Sequence, residues 1–203
     1  EALLKEIEMA FLKQDKKALD NLYKVAFEAG YPYISLAAKA SYTELSPENI
    51  DTITDYLYDI KVWGQIELYV FYFTMNKLSI RDILYILDLF LLEKKHKIFN
   101  SVKYLEIFVC ACCRAIALLA SKGYQEYSAH ILNRVESLEL VQSMFLRNLL
   151  NLSKGFWTYR FKDEKAGNTM MLQALEIFHQ IGSQEIAQYY QQQYDIHVKK
   201  VNV

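Results

Sequence analysis

Chain breakers are scarce in this sequence: six glycines and two prolines among 203 residues. Few positions can therefore halt a helix through their own backbone chemistry. Charge of one sign is lacking as well, with 23 Lys and Arg against 24 Asp and Glu and a formal net charge of −1. That balance excludes the broad basic face needed to hold nucleic-acid phosphates. The longest apolar stretch, residues 107–120, is interrupted by Arg114 and falls short of the roughly 20 residues of a membrane span, so no membrane partner is expected. The opening EALLKEIEMAFLKQDKK reads as an amphipathic helix and lacks a cleavable signal pattern. It starts on Glu1 and not on Met, so further sequence is expected upstream. The three cysteines, Cys110, Cys112 and Cys113, crowd into one short run. An odd, clustered set is not a disulfide framework and fits a reducing, cytoplasmic compartment.

Chemical motifs are missing too. There is no phosphate-cradling Gly loop, no nucleophile elbow and no HExxH. The carboxylates form no pair suited to acid–base catalysis. Cys110 and Cys113 share a helical face with Cys112 to the side, but zinc wants four ligands, and His96, His130, His179 and His197 are scattered singly. The cysteines read better as small apolar core residues. The expectation is a protein without metal, cofactor or catalytic site.

What is abundant is apolar and aromatic. Hydrophobic residues reach 53%, with sixteen Tyr and eleven Phe, above the usual ~45–50%. Their period is helical nearly throughout and predicts helices over 1–13, 16–29, 33–45, 47–60, 63–77, 79–94, 99–121, 124–137, 140–162, 164–181 and 183–199. Ser46-Pro47-Glu48 supplies an N-cap followed by proline at the first helical position. Ser79 with Asp82 imitates a capping box, and Gly30, Gly123 and Gly182 fall where helices should end. The run 68–73 is β-prone, yet helical signals on both sides outvote it.

From about residue 47 the helices pair, with pairs beginning near 47, 79, 124 and 163. A period of about 30 to 45 residues marks a helical solenoid. The turns SKGYQEYSAHIL and KDEKAGNTMMLQALEIF place Ala129, Gly167 and Ala174 where packed helices must approach closely. The expected fold is all-α: one domain over 1–203, a right-handed TPR-like helical-repeat solenoid of antiparallel helix pairs with a C-terminal capping helix.

Polar residues recur at helical spacing along two long apolar helices. One row is Lys103, Glu106, Cys110, Arg114 and Ser121; the other is Ser143, Arg147, Asn151, Lys154 and Thr158. In a curved solenoid such inner helices line a concave surface, where an Arg offers five donors to carbonyls or a carboxylate. The competing reading is an ordinary solvated face. In the last helix Tyr189, Tyr190 and Tyr194 form an aromatic stripe that serves either as a cap or as a dimer contact.

The stretch DYLYDIKVWGQIELYVFYFTM, residues 55–75, closely resembles the segment that opens the helical regulatory domain of Rgg/GadR/MutR-family transcription regulators. Tyr56, Leu57, Val62, Trp63, Gly64, Glu67, Leu68, Phe71 and Thr74 match, whereas Ile66 and Tyr72-Phe73 depart from the family's pattern. A later stretch resembles the family's following repeat through Gly155, Tyr159, Gly167, Met171, Ala174 and Phe178. The resemblance implies a homodimeric TPR-like domain that senses a short peptide pheromone on its concave face. It also implies an upstream helix-turn-helix through which alone DNA is contacted. On that basis a peptide is expected in a groove of helices 63–77, 99–121 and 140–162. Arg114, Arg147 and Asn151 would hold its backbone or carboxylate, with Lys154 and Glu106 as further peptide-binding residues. Tyr69 and Phe73 would give apolar contact, and Tyr189, Tyr190 and Tyr194 the dimer surface. The alternative is a TPR-like adaptor that docks a protein tail and regulates no DNA.

Overall fold

A computed structural model describes residues 2–91, 101–138 and 143–199. The described residues contain eleven α-helices and no strand. They are α1 (Ala2–Leu12), α2 (Lys16–Glu28), α3 (Pro32–Ala40), α4 (Pro47–Tyr58), α5 (Gln65–Thr74) and α6 (Ile80–Leu91), then α7 (Val102–Ser121), α8 (Gln125–Glu136), α9 (Met144–Phe161), α10 (Glu164–Ile181) and α11 (Gln184–His197). The β-prone run 68–73 is helical, inside α5. Expected helix ends at 1, 92–94, 99–100 and 140–142, and His96, lie outside the described residues.

The helix ends follow local chemistry. Ser46 Oγ accepts from the Asn49 amide with Pro47 at the first position, and Ser79 Oγ accepts from the Asp82 amide at 3.2 Å. Gly30 and Gly123 take the left-handed conformation, at φ +79° and +86°, as helix-ending glycines do. Gly182 instead ends α10 with extended backbone. Helix α3 stops at Ala40, five residues before its expected end. Ser41 turns its hydroxyl back onto the Ala37 carbonyl, and Ser46, preceding a proline, must be extended. Helix α5 starts two residues late because Gly64 is its cap, and it closes in a 3-10 turn over Met75–Lys77.

The chain divides into two compact units, residues 1–111 and 112–203, with the division falling inside α7. By length and composition α7 could cross a membrane, contrary to the expectation drawn from its interrupted run. In the fold, however, 67% of its most apolar stretch is buried, as in a core helix of a globular protein.

The first unit is built around rings. Trp63, 2% exposed, meets Phe71 edge-on at 6.1 Å and Phe90 at 5.3 Å. Phe90 meets Phe108 at 5.5 Å, and Phe11 meets Phe73 at 5.4 Å. The edge-to-face pairs among these, all but the tilted Trp63–Phe90 pair, add to the burial of their apolar area.

The second unit is built around small residues. Helices α9 and α10 cross where Gly155 and Gly167 face each other. A Cβ on Gly167 would lie 2.2 Å from the Tyr159 amide nitrogen and 2.6 Å from the Gly155 carbonyl oxygen. The two backbones are therefore in direct contact, and Ala174, 1% exposed, continues that line. Asn148, itself buried, donates from Nδ2 to the Ala174 carbonyl at 2.8 Å and ties α9 to α10 again. Ala129, expected at a close approach as well, is half-buried on α8 beside the fully buried Ser128.

Candidate functional site

The recognisable segment around residue 64 is one physical unit. Gly64 has no side chain, and a Cβ there would come within 2.6 Å of Glu67 Oε2. The space goes to the Glu67 carboxylate, whose Oε2 accepts the Gly64 amide at 2.9 Å. Its other oxygen accepts the Tyr56 hydroxyl at 3.2 Å, joining α4 to α5. Tyr56 in turn stacks on Tyr33 at 3.7 Å, while Leu57, Trp63 and Leu68 supply the core beneath. Tyr56, Trp63, Gly64 and Glu67 thus form a helix start and a helix-to-helix clamp.

Among the first unit's candidate ligand residues, Tyr69 and Glu106 belong to one polar group, which also includes Cys110 and a residue that sequence reading missed, Glu8. Tyr69 donates to Glu8 Oε2 at 3.2 Å, bridging α5 to α1. Burial pushes the Glu8 carboxyl above its ordinary value; the Tyr69 hydroxyl opposes this, and the Glu106 charge on α7 reinforces it. Burial followed by the Glu8 charge raises the Tyr69 phenol. The signal for Glu8 was present, a lone acid on the apolar side of α1 between Leu4, Ile7 and Phe11, but only folding brings it to Tyr69. Phe73, expected as an apolar ligand contact, has no exposed surface. Its ring is spent on Phe11, Tyr69 and Tyr72.

In the second unit Arg147 and Asn151 are exposed one turn apart on α9, with half-buried Lys154 a turn beyond. Lys154 pairs with Glu136 of α8. On α7 Arg114 is half-buried, with its Nη1 shielded from solvent. Two members of the expected polar rows have local duties. Ser143 caps α9 through the Leu146 amide, and Ser121 donates to the Leu118 carbonyl.

The cysteines are unequal. Cys110 is half-buried, whereas Cys112 and Cys113 are buried. Burial holds the Cys112 thiol well above its usual range. It pushes Cys113 up to about 12, against the lowering effect of Ser153. Neutral thiols of this kind are poor nucleophiles and poor metal ligands. Among the described residues no three His, Cys, Asp or Glu gather as a metal-holding group.

The tyrosines expected at a dimer surface are occupied within the chain. Tyr189 and Tyr194 are 9% and 8% exposed. Tyr190 is half-buried and stacked on Phe178 at 5.0 Å. Tyr194 donates to Asn168 Oδ1 at 2.6 Å, fastening α11 to α10.

Comparisons with known proteins bear on this arrangement. Residues 4–192 match the family described as HTH-type transcriptional regulator Rgg, C-terminal domain. No curated protein matches the sequence. Among solved structures, the Streptococcus dysgalactiae SHP pheromone receptor Rgg2 is similar at a TM-score of 0.76 and 17% identity. That match covers 97% of this chain and 75% of that one. A Listeria monocytogenes EGD-e protein described as a transcriptional regulator is similar at a TM-score of 0.77 and 15% identity, over 100% of this chain and 75% of the other. At such identities the likeness is one of fold, the TPR-like helical fold of these regulators.

Proposed function

Because the chain belongs to the Rgg family as a C-terminal regulatory domain, we propose that it senses a short apolar peptide and thereby controls an upstream helix-turn-helix. It acts in the cytoplasm, as a homodimer, and performs no catalysis. The observation that carries this reading is the row formed on α9 by exposed Arg147 and Asn151 and half-buried Lys154. An extended peptide presents carbonyls every ~3.3 Å and ends in a carboxylate, and Arg and Asn offer planar donors to both. Half-buried Arg114 on α7 is a further cation of the same unit. A guanidinium partly shielded from water interacts more strongly with a carboxylate than an exposed one does.

The polar group of Glu8, Tyr69 and Glu106 in the first unit has the opposite sign, with Lys5 of α1 the cation beside Glu8. Of the three tyrosines on α11, Tyr190 retains the most open surface and is the one proposed to meet a second copy. The expression "pheromone receptor" describes the streptococcal relative; its extension to this chain rests on the shared family. Peptide binding changes DNA control only if the two states of the dimer differ in affinity for the peptide.

Titration of the protein with short apolar peptides tests the assignment. Arg147→Ala should weaken binding by about tenfold or more, the expected loss for a charge-assisted hydrogen bond. Unchanged affinity in that variant would remove α9 from the site.

A further inference from the structure

One cleft in the second unit belongs to none of the residues discussed as peptide contacts. It is an open depression of about 290 Å³ between the end of α9, the start of α10 and the end of α11. Its lining is graded. Tyr194 and Val198, 8% and 5% exposed, form an apolar floor. Tyr159 and Asn168, both half-buried, form the walls. Glu164, Lys165 and Lys199 stand exposed at the rim.

Hydrogen-bonding capacity at this cleft is partly spent and partly open. Asn168 Oδ1 accepts the Tyr194 hydroxyl, so the carboxamide is held in one orientation. Its two amide hydrogens make no bond among the described residues. Lys199 is fixed by Asp195 at 2.8 Å and lies 5.8 Å over the Tyr194 ring. Glu164 and Lys165 form no ion pair among the described residues. The open groups are therefore one cation, one anion, the Asn168 amide and the Tyr159 hydroxyl.

The charges select the ligand. Lys165 and Lys199 are balanced by Glu164 and Asp195, so the cleft has no net charge to offer a polyanion. Its volume is below the ~300–1,000 Å³ of sites for drug-sized molecules. We propose that this cleft binds a free apolar amino acid as a zwitterion. The side chain rests on Tyr194 and Val198, the carboxylate meets Lys165 and the Asn168 amide, and the ammonium meets Glu164. This reading stands apart from peptide sensing and does not depend on it. Nine or so non-hydrogen atoms in an open cleft imply a dissociation constant on the order of 1 mM.

The test titrates the purified chain with L-leucine, N-acetyl-L-leucine and L-leucine methyl ester, followed by amide chemical shifts. Leucine should saturate and shift resonances of Asn168, Tyr194 and Val198, while both capped forms bind about tenfold more weakly or not at all. Lys165→Ala and Glu164→Gln, exposed and outside the core, should each weaken leucine by about three- to tenfold. If N-acetyl-leucine binds as tightly as leucine, the cleft reads a carboxylate alone, as on a peptide terminus, and the zwitterion assignment is wrong. Absence of saturation by leucine at tens of millimolar also overturns it. Because none of these groups lies in the Arg147 row, either result leaves the peptide titration independently interpretable.

Discussion

In residues 1–111 neighbouring helices are joined by long side chains. Tyr42 reaches Asp20, Tyr56 reaches Glu67, Tyr58 reaches Asp82 and Tyr69 reaches Glu8, each phenol donating to a carboxylate on another helix or its flank. In residues 112–203 helices α9 and α10 meet where side chains are missing, at Gly155 and Gly167. The two units belong to one chain and one helical class, but they solve the packing problem differently. Phenol–carboxylate bridges tolerate a wider helix separation and give polar groups a half-buried home. Glycine contacts bring backbones together and leave nothing that can adjust.

The difference predicts different responses to substitution. The largest effect should come from Gly167→Ala. Inside an exposed helix this change normally gains about 1 kcal/mol. Here the new Cβ would meet the Tyr159 backbone at 2.2 Å, and the sign should reverse to a loss of about 2–3 kcal/mol. Urea denaturation measures it, and a gain in stability would show that the α9–α10 contact is looser than described.

Next comes Glu67→Ala, which removes the partner of both the Gly64 amide and the Tyr56 hydroxyl. A loss of about 1–2 kcal/mol is expected, with Glu67→Gln recovering part of it through its remaining carbonyl. Tyr69→Phe should cost about 1 kcal/mol, because Glu8 then lacks its phenol donor. Equal stability of Tyr69→Phe and the parent protein would mean the 3.2 Å contact contributes nothing.

The smallest effect concerns pH. Burial raises the Glu8 carboxyl above its unfolded value. The protonated form is therefore favoured by folding. Glu8's contribution is fully present below the unfolded value and is lost as pH rises through the folded one. Glu8→Gln should accordingly raise the denaturation midpoint modestly at pH 7 and leave it nearly unchanged at pH 4. A larger benefit at pH 4 than at pH 7 would contradict the assignment.

Much of the architecture is legible in the sequence. Proline and glycine were too few to interrupt the helices, Ser46-Pro47 and Ser79 marked helix starts, and Gly30 and Gly123 marked ends. The close approach at Gly167 and Ala174 was also legible, because small residues at helical spacing have few other uses. Less legible was the site. Phe73 read as a binding aromatic since an exposed and an enclosed phenylalanine look alike in sequence. Tyr189 and Tyr194 read equally as a cap and as a dimer contact for the same reason. Glu8 was overlooked because its partners Tyr69 and Glu106 lie 61 and 98 positions away in sequence.

What the sequence determined by itself is local and periodic: helix type, caps, turns, and a Trp63-Gly64-Glu67 signature specific enough to indicate a family. These depend on residues within about one helical turn of each other, which are always neighbours. Tertiary structure alone decided which polar groups share a pocket and which aromatics face water. It decided, too, that Gly64 makes room for a carboxylate while Gly167 makes room for a backbone. Those outcomes depend on distances between helices, and no spacing along the chain encodes them directly.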